Sequence, residues 1–152
     1  MYNGLVHAHS GLRWIALLLL LYAVVNAMRS QTSGRYEKKD KKINLFAMIV
    51  LHIQLLIGIG LYFISAKVSH VEGWMSSETA GGMFRFFGLE HSLLMIIAIA
   101  VITMGRSKAE KKLKNTRDKH RKIMTSYSIG LLIILLSIPW PFIEKYRVTS
   151  WF

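Results

Sequence analysis

Residues 43–66 read INLFAMIVLHIQLLIGIGLYFISA, twenty-four consecutive positions without a charged side chain and with His52 near the middle. At a rise of ~1.5 Å per residue this run makes a helix of ~36 Å, enough to cross a hydrocarbon core of ~30 Å. A surface helix of a soluble bundle would carry polar residues every third or fourth position on its outer face. This stretch does not, so it reads as a membrane span. Its histidine is then the residue to explain, because a polar side chain at membrane depth is costly and is usually there for a function.

Three further apolar blocks flank it, at 12–28, 86–105 and 123–143, and the third is interrupted only by Glu90 and His91. Together they predict an all-α fold: one integral domain over residues 1–152, a transmembrane up-down four-helix bundle. The first block does not look like a cleaved signal peptide. No Lys or Arg precedes Arg13, the apolar part is too long, and no small-x-small site closes it.

The chain is 53% hydrophobic and yet carries a net charge of +12, from 20 Lys+Arg against 8 Asp+Glu. The position of the charge resolves the conflict. Six basic residues lie in 29–42 and nine in 106–122, which accounts for 15 of the 20. Short basic connections stay in the cytoplasm, so both termini and the 67–85 loop are expected on the periplasmic side. Trp14, Trp74, Trp140 and Trp151 fall at that outer level, as interfacial aromatics do. The basic segments lack the interleaved aromatics of a strand-binding surface, so no nucleic-acid partner is expected. Their expected partner is the lipid bilayer.

The sequence has no cysteine. This excludes disulfides, thiolate metal sites, Cys-ligated iron–sulfur clusters and covalently attached haem. No nucleophile–base constellation or phosphate-binding loop is present. Six histidines remain: His7, His9, His52, His70, His91 and His120. For several histidines at membrane depth, the fitting chemistry is axial ligation of haem iron, since a neutral imidazole binds without adding charge.

Depth suggests the pairs. Measured from the cytoplasmic end, His9 stands roughly 30 Å up, His91 roughly 22 Å, His52 roughly 15 Å and His120 near the boundary. Spans one and three are diagonal in an up-down bundle, as are two and four. His9 and His91 would hold an outer haem, and His52 and His120 an inner one. The inner pair differs in height by roughly 18 Å unless the fourth helix extends into the basic loop, which narrows the gap to roughly 7.5 Å. The competing arrangement is a single haem between His52 and His91. Arg13, one turn from His9, and Lys119 and Arg121, beside His120, are candidate propionate partners. Gly11, Gly58, Gly60 and Gly130 either make room for a porphyrin face or let helices pack closely. Glu90 either orients His91 or carries a proton for a quinone site, and Gln54 is placed to bond across helices.

The strings HSGLRW (9–14), NLFAMIVLHIQLLIGIGLYF (44–63), EHSLLMIIAIAVITMGRSKA (90–109) and KHRKI…SIPWPF (119–142) resemble small four-span membrane proteins of Bacteroidetes-type bacteria labelled "cytochrome B". The positions that match are His9, His52, Glu90, His91 and His120. The resemblance implies a bacterial inner-membrane protein that binds non-covalent haem b. The expected activity is passage of electrons within or across that membrane, to or from quinone if the protein is catalytic. The chain would act as a homo-oligomer or within a larger redox complex. A haem-free accessory subunit is the alternative, and a transporter a third reading that lacks broken-helix signals.

Overall fold

A computed structural model describes residues 2–68, 70–76 and 82–140, and all regular structure among them is helical. Four long helices form: α1 (Tyr2–Ser30), α2 (Lys38–Ile64), α3 (Met83–Lys111) and α4 (Thr116–Ser137). Three of them, α1, α2 and α3, are long and apolar enough to cross a membrane.

The helices overrun the apolar blocks, and local chemistry sets their ends. α1 begins ten residues before the predicted span, so His7 and His9 are helical. At the start of α2, Glu37 and Asp40 form a reciprocal capping box. Asn115 caps α4 by accepting from the amides of Arg117 and Asp118. α4 therefore does extend into the basic loop. It stops at Ser137 because Ile138 precedes Pro139 and is extended, as a residue before proline prefers. Arg117, Asp118, Lys119, Arg121 and Lys122 occupy its first two turns, which leaves 15 apolar-block positions, 123–137, or ~22 Å of helix. That is why α4 falls short of the other three as a span. Residues 141–143 of the predicted fourth span, and Trp151, lie outside the described residues.

The packing order around the bundle is α1–α2–α3–α4, with α4 closing back onto α1. α1 faces α3 across one diagonal and α2 faces α4 across the other. The α2–α3 edge is the loosest. The opposite extreme is α3–α4, where a Cβ on Gly105 would overlap Ser126 and one on Gly130 would come within 2.5 Å of Ile102. The core is rich in small residues, Ala16, Ala23, Ala27, Ala47, Ala98 and Ala109, which let helix backbones approach. Large apolar side chains point outward instead: Leu56 is 68% exposed, Leu136 74% and Phe63 80%. An apolar exterior around a core with several polar groups suits a lipid surround rather than water.

The two basic connections meet at one end of the bundle. Tyr36 donates to Glu110 (2.6 Å), Asn44 donates to Tyr36 (3.1 Å), and Tyr127 donates to the Asn44 carbonyl (2.7 Å). Asn26 of α1 donates to Asp40 of α2 (2.7 Å). Burial and the bond to Glu110 push the Tyr36 hydroxyl well above its ordinary range.

Candidate functional site

At the opposite end a cavity of about 480 Å³ opens among α1, α2 and α3, with α4 contributing at its edge. Its walls are mostly apolar, including Leu17, Leu20, Leu55, Met95 and Ile99. Three of the expected site residues line it: His9, Arg13 and His91. They lie within electrostatic reach of one another.

A local irregularity delivers His91. Residues Phe86–Glu90 form a π-helical turn, and the His91 amide donates to the Phe86 carbonyl five residues back. Ser92 Oγ satisfies the Phe87 carbonyl (2.8 Å). Such bulges rotate the residues that follow them and recur at functional sites. Outside the turn, Trp74 packs on Gly88, and Tyr62 donates to the Gly88 carbonyl (3.2 Å). His91 Nδ1 then donates to the Ser137 carbonyl at 2.8 Å. This bond caps the free end of α4 and fixes the tautomer, leaving a lone pair on Nε2, the form a metal-binding imidazole takes. Glu90 does not orient His91. Its carboxylate accepts from Arg85 Nε (2.6 Å), and it is not part of the cavity wall.

His9 is held by packing and by its backbone. Gln54 donates to the His9 carbonyl (2.8 Å), tying α1 to α2. The imidazole lies against Gly58, where an added Cβ would stand 3.2 Å from His9 Cε1. His9 Nδ1 and Gln54 Oε1 are both buried without a hydrogen-bond partner. Buried polar atoms left in that state mark sites where a ligand or water belongs. His7, two residues earlier, is exposed.

His52 and His120 are not in this cavity wall. His52 Nδ1 bonds the Met48 carbonyl of its own helix (2.8 Å), and its Nε2 is 3.5 Å from Thr103. His120 is fully buried at the basic end, where Nε2 donates to the Arg35 carbonyl (2.8 Å) and the ring packs edge-on against Tyr36. Lys119 lies over the same Tyr36 ring. His120 thus pins the α1–α2 connection, and the nitrogen that makes this bond carries its proton. Among the glycines, Gly58 borders the site, Gly130 serves the α3–α4 contact, and Cβ atoms on Gly11 and Gly60 would meet nothing within 4 Å.

The donor set at this cavity fits a haem. Two imidazoles come from diagonal helices, one has its tautomer set, and one has a buried nitrogen without a hydrogen-bond partner. An arginine stands one turn away, and the walls are mostly apolar. No group of three or more His, Asp or Glu side chains forms a protein metal site among the described residues. Haem iron needs only the two axial positions from the protein. In comparisons with known proteins, no family model, curated protein or solved structure matches the chain.

Proposed function

We propose that the chain is a b-type cytochrome of a bacterial inner membrane, binding haem b through His9 and His91 and passing electrons within or across the membrane. The carrying observation is the convergence of these two histidines on one apolar cavity from helices that face each other across the bundle. Haem, when bound, supplies one-electron exchange at its iron. His91 would offer Nε2, held in register by the Ser137 carbonyl. His9 would be positioned by Gln54 and Gly58. Arg13 would neutralise a propionate, and the apolar wall would keep water from the iron and tune its potential. Quinone in the bilayer is the proposed donor or acceptor.

The proposed topology is four spans with both termini periplasmic. Its support is that both basic connections lie at one end of the bundle, opposite the cavity. The proposal rests on the pair His9 and His91 alone, because these two line one cavity and His52 and His120 are not part of its wall. A haem-free accessory subunit is the second reading. It is favoured by the capping bond from His91 to Ser137, which stabilises α4 with no cofactor present.

An absorbance spectrum of the purified protein, oxidised and then reduced with dithionite, tests the first reading. A shifted Soret band and a sharp reduced α-band are expected. Protein that stays colourless when expressed with ample haem supply overturns it and leaves the accessory reading.

A further inference from the structure

A second concavity lies away from the cavity, on the outer surface between α1 and α2 near the basic end. It holds about 480 Å³ and is lined by Leu19 and Tyr22 of α1 and by Lys38, Lys39, Lys42, Ile43 and Phe46 of α2. Its two ends differ in chemistry. The lysines cluster in the first turns of α2, where the helix N-terminus adds partial positive charge. Below them, Ile43 and Phe46 line α2, and Leu19 and Tyr22 lie seven to ten residues inside Arg29, roughly 10–15 Å along α1.

None of these three lysines makes an ion pair among the described residues. The ion pairs among the described residues join Lys41 to Glu110 and Arg85 to Glu90. Of the two acids beside them, Asp40 is buried and bonded to Asn26 and to the Glu37 amide, and the Glu37 side chain accepts from the Asp40 amide in the capping box. Three ammonium groups therefore stand at the mouth of an apolar trough that descends to membrane depth.

We infer that this groove is a binding site for an anionic phospholipid, with the phosphate headgroup against Lys38, Lys39 and Lys42 and an acyl chain along Leu19, Tyr22, Ile43 and Phe46. Free phosphate would use the charge and leave the apolar walls in contact with other lipid. A zwitterionic lipid would fill the walls and leave the lysines uncompensated. Only an anionic lipid answers both halves. The inference needs the membrane setting and is independent of haem.

The test measures binding of phosphatidylglycerol to the full chain in neutral detergent, by native mass spectrometry and by the shift in thermal midpoint. Phosphatidylcholine and inorganic phosphate serve as comparison probes. A lysine near an anionic lipid surface strengthens association roughly fivefold, so the triple variant K38Q/K39Q/K42Q should bind phosphatidylglycerol on the order of a hundredfold more weakly. The variant K108Q/K111Q/K112Q removes the same charge from exposed positions of the other basic connection and should bind as the parent does. Circular dichroism verifies that both variants keep their helix content. If the second variant loses as much affinity as the first, the attraction is diffuse and the site is overturned. Phosphatidylcholine binding equally well, or phosphate reproducing the thermal shift, overturns it too. If the first variant fails to fold, Phe46→Ala, which leaves every charge in place, must lower phosphatidylglycerol retention; unchanged retention overturns the site.

Discussion

Gly58 and Gly60 sit two residues apart on α2, and the structure separates them sharply. A methyl group at Gly58 would stand 3.2 Å from His9 Cε1, whereas one at Gly60 would meet nothing within 4 Å. In a helix, replacing glycine by alanine gains about 0.8–1.0 kcal/mol of backbone propensity. At Gly60 nothing opposes that gain, so Gly60→Ala should stabilise the bundle by up to about 1 kcal/mol and leave haem binding alone. At Gly58 the His9 ring must yield by a few tenths of an ångström. Pushing a side chain off its rotamer costs about 0.5–1.5 kcal/mol. The two effects nearly cancel for folding, so Gly58→Ala should leave unfolding stability within about 0.5 kcal/mol of the parent. They do not cancel for the cofactor, because the displaced ring is the proposed ligand. The rotamer cost converts to a roughly two- to tenfold loss of haem affinity. The assay is haem titration of apoprotein followed at the Soret band, alongside SDS-induced unfolding in mixed micelles. Equal haem affinity in the two variants would refute the placement of His9 against Gly58 as a haem-ligating arrangement.

Further outcomes follow from the same geometry. His9→Ala and His91→Ala should each abolish stoichiometric haem, while His7→Ala, at an exposed position, should retain it; pyridine haemochrome content reads all three. His120→Ala should keep the proposed haem and lose about 2 kcal/mol or more of stability, since it empties a fully buried position and leaves the Arg35 carbonyl unpaired. Gly105→Ala should cost about 1–3 kcal/mol by overpacking α3 against α4, and Ser126→Gly on the same background should recover part of that loss. The raised Tyr36 hydroxyl predicts that stability is intact below about pH 10, where tyrosine is neutral in both states, and falls at higher pH as the unfolded chain ionises first. Tyr36→Phe should flatten that alkaline slope in pH-dependent unfolding.

The helices were legible one at a time. The run 43–66 needs no partner to be helical in lipid, because backbone groups must be satisfied within the segment. Position along each helix was legible for the same reason: height along a helix is residue count times rise. Rotation about the helix axis was not legible. The π-turn at Phe86–Glu90 that aims His91 has no marker in FFGLE, and its i→i−5 bonds form beside contacts from Trp74 of the α2–α3 connection and Tyr62 of α2. Glu90 looked like the orienting partner because it is adjacent in sequence. Adjacency on a helix is ~100° of rotation, and the carbonyl of Ser137, 46 residues away, takes that role.

The sequence by itself determined what depends on composition and count: the helical class, the apolar blocks, the clustering of basic charge in two connections, and the exclusion of thiolate chemistry. Tertiary structure decided which histidines share a space. His9 and His91 line one cavity because α1 and α3 face each other across the bundle, and His120 is engaged elsewhere by the Arg35 carbonyl. A hydrogen bond is directional and its partner is distant in sequence, so which polar groups are left over for a ligand is settled only once the helices have packed.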